Sequence, residues 1–183
     1  RTEDLTIKAF HEQYSDGDIN NGKNLLLLKV AIKLIRNYLN FETGNINNKD
    51  YSLVVNDIEK DLSASFEIPG NNGPIQINIR GKADRIDMIS GFHRIIDYKT
   101  GSVDEKKLTF ASWDEIAEST DKPMLVQLLV YAWMFLKSNG AAKVKPCILS
   151  LRSMSKGVKM LKTPESTDFV SQENIPSIEA FLK

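Results

Sequence analysis

The stretch from Ile75 to Thr100 leaves the chain few options, because it reads as two strands joined by a tight turn. Ile75, Ile77 and Ile79 alternate with Gln76, Asn78 and Arg80, the period-two pattern of a half-buried strand. That strand can run on to Met88. Ser90-Gly91 is a turn signal, and His93 to Thr100 returns as a second strand. In IIDYKT, Asp97 and Lys99 take one face while Ile96 and Tyr98 take the other. A hairpin centred between Ser90 and Gly91 sets Asp84 opposite Asp97 and Lys82 opposite Lys99. Side chains directly opposed in this way have Cβ atoms about 4.5–5.5 Å apart. Two carboxylates at that distance repel unless a cation lies between them. A hard divalent ion such as Mg²⁺ suits the place, since it takes oxygen ligands and keeps several waters. The register decides the matter, because a slip of one residue would separate the pair. The competing account is an exposed hairpin whose Asp84, Arg85, Asp87 and Lys99 are ordinary solvated charges.

The rest of the chain supplies elements that could cover such a hairpin. Asn24 to Phe41 has apolar residues at helical spacing, with Asn21-Gly22 and Thr43-Gly44 as its expected ends. Tyr51 to Val55 and Ala64 to Ile68 read as two short strands, and Gly70 to Gly73 as a turn. Gly101 to Asp121 is polar and expected to be mostly loop, with Phe110 and Trp113 packing down. Pro123 to Lys137 is a strong helix, Pro123 suiting its first turn and Asn139-Gly140 its end. Pro146 to Leu151 is another strand, and Ile175 to Leu182 a short closing helix. Strands interrupted by helices argue for a single mixed α/β domain over residues 1–183.

Charge excludes one simple picture. The 24 basic and 24 acidic residues cancel, so a nucleic-acid contact would need a local patch rather than an overall basic surface. Lys82, Lys106, Lys107 and Arg152 are the candidates. The single cysteine, Cys147, rules out an internal disulfide and a cysteine-ligated zinc or iron–sulfur site, and it reads as a small apolar residue of the strand CILSL. No apolar run approaches the roughly 18 residues of a membrane span, and a cytoplasmic location is expected. The chain opens with Arg1, as a piece of a longer polypeptide would.

Gly81, Ala83-Asp84-Arg85-Ile86-Asp87 and then Ile95-Ile96-Asp97-Tyr98-Lys99-Thr100-Gly101 closely resemble the G-x-x-D-R-I-D … I-x-D-Y-K-T-G signature of RecB- and AddB-type nuclease domains, within the PD-(D/E)XK superfamily. Gln127 and Tyr131, four apart on one helix face, resemble that family's Q-x-x-x-Y motif. The likeness extends more loosely from about Leu25 to Arg152. It implies a restriction-endonuclease-like core, a central mixed sheet flanked by helices. It also implies Mg²⁺- or Mn²⁺-dependent hydrolysis of DNA, of exonuclease type, in double-strand-end processing and recombinational repair. The partner would be a helicase domain or a helicase–nuclease subunit.

Carried over residue by residue, Asp84 and Asp97 would be the metal ligands. Lys99 would act on the attacking water and the transition state. Gln127 and Tyr131 would line the cleft, touching the substrate strand or positioning Lys99. Glu67, in ASFEIP, falls where the family often carries a glutamate ahead of the hairpin, with a role in metal or water binding. The likeness fails at one point: active relatives carry a histidine or glutamate on a helix before the hairpin, often as G-x-x-x-H. The helix after Gly22 offers leucines and lysines there, and neither His11 nor His93 stands in that pattern. The 183-residue chain by itself is therefore expected to be weak or inactive, and a nuclease fold that only holds DNA or a partner is the rival reading. A phosphate-loop nucleotide site at Lys99-Thr100-Gly101 is excluded, because the glycine-rich loop before the lysine is missing.

Overall fold

A computed structural model describes residues 1–13, 18–47, 52–118 and 121–183. Two helices, α1 (Thr2–Gln13) and α2 (Gly22–Ile46), precede three long strands, β1 (Leu53–Ile68), β2 (Ile75–Ile89) and β3 (Phe92–Lys99). A short helix α3 (Trp113–Glu118) and the long α4 (Pro123–Asn139) lead to β4 (Lys143–Ser150). Two-residue strands β5 (Lys159–Met160) and β6 (Val170–Ser171) and the helix α5 (Ile175–Leu182) complete the order. The sheet runs β1-β2-β3-β4-β5, with β6 also on β4. It is mixed. β1, β2 and β3 are antiparallel neighbours, whereas β3 and β4, joined through α4, are parallel. This is the expected sheet flanked by helices.

The core lies between the sheet and α4, and the α4 sequence explains why. Leu125, Leu128, Leu129 and Ala132 to Leu136 are all buried, so the helix is apolar nearly all round, as one enclosed by other elements must be. Phe66 of β1 meets Trp133 edge-on at 5.9 Å between ring centroids, and the indole N–H donates to Glu179 of α5 at 3.1 Å. Losing such a side chain would cost about 3–5 kcal/mol. Gly140 ends the helix with φ 68°, a left-handed cap that glycine takes without strain. Cys147 is fully buried in β4, and burial pushes its thiol up to about 12.

Three expectations needed correction. The α2 helix continues to Ile46, so Thr43-Gly44 lies inside it; one glycine costs only about 1 kcal/mol in a helix this long. The two short strands expected before the hairpin are one strand of 16 residues. Its polar middle is the water-facing part of an edge strand, where charges discourage further pairing. Part of the stretch after Gly101 is helical, in α3, with Phe110 buried against Trp113. Tyr51 and residues 119–120, which also figured in those expectations, lie outside the described residues.

Candidate active site

The hairpin register is the expected one: Arg85 pairs with Ile96, Ile86 with Ile95, Asp87 with Arg94, Met88 with His93 and Ile89 with Phe92. The ladder then stops, one step short of Asp84 and Asp97. There β2 leaves β3, and the Asp84 carboxylate fills the gap by accepting the Tyr98 backbone N–H at 2.7 Å. The departure shows in the packing. Ile77, Ile79 and Ala83 pack toward α4, and so does Ile86; on a regular strand, odd and even residues cannot share a face. The facing of β2 reverses at Asp84. The neighbouring strand reverses with it, since Leu62, Ala64 and Phe66 pack toward α4 while Ile58 stands beside Tyr38 of α2. Between them is Glu59, with φ 52°, a left-handed conformation that costs an ordinary residue roughly 1–2 kcal/mol. Backbone strain is therefore held immediately beside Asp84.

On the other side β3 is fixed. Its pairing with β4 extends through Asp97–Ile148 to Lys99–Ser150, and the Leu151 N–H donates to the Lys99 carbonyl at 2.8 Å. Asp97 is buried, 4% exposed. Among the described residues its Oδ2 has no hydrogen bond of proper direction and is met by the Lys99 ammonium, an ion pair at 2.8 Å. Burial raises the Asp97 carboxyl above the usual carboxylate range; Lys99 opposes this and the Asp84 charge adds to it. Lys99 also donates to Gln127 Oε1 at 3.1 Å, and the Gln127 amide donates to the Tyr131 hydroxyl at 3.1 Å. The tyrosine ring depends on Gly81, where a Cβ would lie 2.8 Å from Tyr131 Cε1. Gly81, Tyr131, Gln127, Lys99 and Asp97 thus form one chain of contacts running from α4 to β3.

The family model of the PD-(D/E)XK nuclease superfamily matches residues 11–178, nearly the whole chain. The chain belongs to the PD-(D/E)XK nuclease superfamily. No curated protein matches the sequence. Among solved structures, the crystal structure of SSO0001 matches across 100% of this chain and 86% of that one, at 15% identity and a TM-score of 0.27, too slight a likeness to carry an argument. Members of the superfamily are in general nucleases using divalent metal ions, and the cluster of Asp84, Asp97 and Lys99 fits such an ion. A buried carboxylate whose single charge partner is Lys99, with a second carboxylate near enough to raise it further, is a hard, negative donor set. Mg²⁺ is usually held by one or two carboxylates with waters and substrate phosphates completing the shell. Among the described residues no group of three His, Cys, Asp or Glu could hold an ion.

The structure does not bring every expected residue to this PD-(D/E)XK cluster. Glu67 is exposed and pairs with Gln76, eight residues beyond Glu59 and roughly 26 Å along the strand at ~3.3 Å per residue. Lys82 pairs with Asp61 of β1 and lies 3.8 Å from Glu59; it does not face Lys99, because β2 has already left β3. His93 packs on Phe135 at the far end of the hairpin, and His11 is exposed on α1. Lys106, Lys107 and Arg152 are exposed.

Sequence reasoning missed a second cluster on the opposite face. Asp87 is fully buried. It takes two hydrogen bonds from Arg94, both at 2.8 Å, and an ion pair from Arg85 Nη2 at 2.8 Å. Arg85 reaches on to the hydroxyls of Tyr38 and Tyr98 and to Glu42 of α2. The spacing of Tyr38 and Glu42, four apart on α2, was the available signal. It was hidden by reading that helix as ending at Phe41.

Proposed function

We propose that this chain is the nuclease domain of an enzyme that processes DNA ends, hydrolysing phosphodiester bonds with Mg²⁺ or Mn²⁺ held by Asp84 and Asp97. The observation that carries the reading is the Asp97 oxygen, buried, without a directed hydrogen bond, and facing one lysine where two carboxylates converge. A bound divalent ion polarises the scissile phosphate and lowers the pKa of its water. Lys99 holds a proton donor beside that point and offsets the charge that develops on the phosphate oxygens. Gln127 fixes the lysine's direction, and Tyr131 fixes Gln127. The RecB- and AddB-like signature between Gly81 and Gly101 supports exonuclease-type cleavage of DNA in recombinational repair, with a helicase domain or subunit as partner, in the cytoplasm. Among the described residues no helix is long and apolar enough to cross a membrane.

One observation favours the rival, a non-catalytic nuclease fold: no third carboxylate or histidine joins Asp84 and Asp97. Digestion of linear DNA decides between them. It is measured with the 183-residue chain and any longer polypeptide containing it, wild type against Asp97→Ala, in Mg²⁺, Mn²⁺ or EDTA. The expected result is cleavage that needs the ion and falls by about a thousandfold in the variant, several kcal/mol of lost charge stabilisation. Equal cleavage by both, or none with any divalent ion, leaves the non-catalytic module as the better account.

A further inference from the structure

On the α2 side of the sheet, where β2 parts from β3, there is a cavity of about 470 Å³, within the roughly 300–1,000 Å³ range of small-molecule sites. Its walls are Ile35, Val55, Ile58 and Leu151, and two of these stand unusually open, Ile58 at 71% and Val55 at 46% exposure. A single exposed isoleucine is ordinary; apolar side chains gathered around an open hollow mark a binding surface. The floor is polar and aromatic. Tyr38 and Tyr98 meet edge-on with centroids 5.6 Å apart and share a hydrogen bond at 3.0 Å. Arg85 also lines the hollow; it is 5% exposed, and its Nε is buried with no acceptor among the described residues. Asp84 forms part of the same lining.

We propose that this hollow receives one unpaired nucleobase of the strand whose phosphate is held at Asp84 and Asp97. The proposal rests on the nuclease reading and adds a substrate class to it: a single strand, or an end frayed enough to release a base. The occupant is argued from continuity and chemistry. Asp84 belongs to both places, so a nucleotide adjacent to the scissile phosphate lies at the mouth of the hollow. A base is a flat, uncharged, largely apolar ring with hydrogen-bond acceptors on its edge. It matches aliphatic walls and tyrosine rings, the pattern by which extruded and single-stranded bases are held. The Arg85 charge is already balanced by Asp87 and Glu42, which suits a neutral ring better than a phosphate.

The test is binding rather than cleavage, using single-stranded DNA and RNA oligonucleotides with one 2-aminopurine placed at successive positions, and a blunt duplex of the same sequence. The unaltered chain is measured in EDTA, and an Asp97→Asn chain in Mg²⁺ so that strands stay intact. The expected result is tighter binding of a single strand than of the duplex, with a fluorescence change confined to one or two positions. Ile58→Asp and Val55→Asp, both at exposed positions, weaken single-strand binding about tenfold, the equivalent of one lost base contact, and leave duplex binding unchanged. Single strand and duplex bound alike, with neither variant having an effect, overturns the pocket while leaving the nuclease reading intact. Binding of no nucleic acid at all removes both.

Discussion

Two acidic clusters sit on β2 and β3 within a few residues of each other, and the fold treats them in opposite ways. Around Asp87, every strong charge is matched: Arg94 grips the carboxylate with two bonds, Arg85 adds a third contact, and Glu42 balances the second arginine. Around Asp97, the Lys99 ammonium pairs with one carboxylate, and the Asp84 charge nearby adds to the negative excess. The ladder explains the difference. Where β2 and β3 stay paired, the side chains are enclosed between α2 and α4 and must be neutralised internally. Where the strands part, the Asp84 carboxylate takes the Tyr98 N–H in place of a ladder partner, and the negative charge beside Asp97 is left in excess. The contrast is one of charge: two arginines are set against Asp87 and Glu42, whereas Lys99 is set against Asp97 with the Asp84 charge beside it.

The largest expected effect is on the complete cluster. Asp87→Ala strands two buried guanidinium groups and should destabilise the fold by about 3–5 kcal/mol, read as a lowered denaturant midpoint. A loss under 1 kcal/mol would mean that the cluster is not closed. Lys99→Ala should weigh mainly on chemistry, slowing cleavage about 10²–10³-fold. It leaves the buried Asp97 carboxylate without its ion-pair partner, so the midpoint falls too, but by less than in Asp87→Ala because the lysine is one-third exposed. Equal damage to folding would assign Lys99 to structure. Next, Gly81→Ala pushes the Tyr131 ring, and through Gln127 it misdirects Lys99. The loss should fall on kcat, about tenfold, and a change in stability alone would break that chain of contacts.

The smallest effect concerns pH in the absence of metal. Burial raises the Asp97 carboxyl in the folded chain, so the folded state holds its proton to a higher pH than the unfolded state does. Stability therefore declines as pH rises from the ordinary carboxylate pKa through the raised one. Asp97→Asn removes that decline and should be slightly more stable than wild type at neutral pH in EDTA. Chemical denaturation at several pH values checks it, and a less stable variant would contradict the claim that Asp97 is under-compensated.

Much of this was legible in the sequence. Strict alternation from Ile75 and the Ser90-Gly91 turn gave the register of the hairpin, because period and turn position together allow only one pairing. What alternation could not show is its own interruption. The reversal of facing at Asp84 depends on a left-handed Glu59 one strand away, and nothing in NDIEKDLS announces it. The same limit misplaced Lys82, assigned across from Lys99 by extending a ladder that stops. Glu67 was carried by position relative to the hairpin, which holds only if the strand before it is short; β1 is 16 residues long. Asp87 and Arg94 look like surface charges in sequence. Their burial follows from α2 and α4 covering both faces, which is a tertiary fact.

The most direct test sets the two clusters side by side: cleavage of a labelled DNA strand by Asp97→Asn and Asp87→Asn, in Mg²⁺ and in EDTA, at a temperature where both are shown by circular dichroism to be folded. The account predicts that Asp97→Asn is folded and inactive, while Asp87→Asn, though less stable, cleaves within about tenfold of wild type and only with the ion, tenfold being the worth of ~1.4 kcal/mol. Cleavage by Asp97→Asn at the wild-type rate, or loss of activity only in Asp87→Asn, would contradict it.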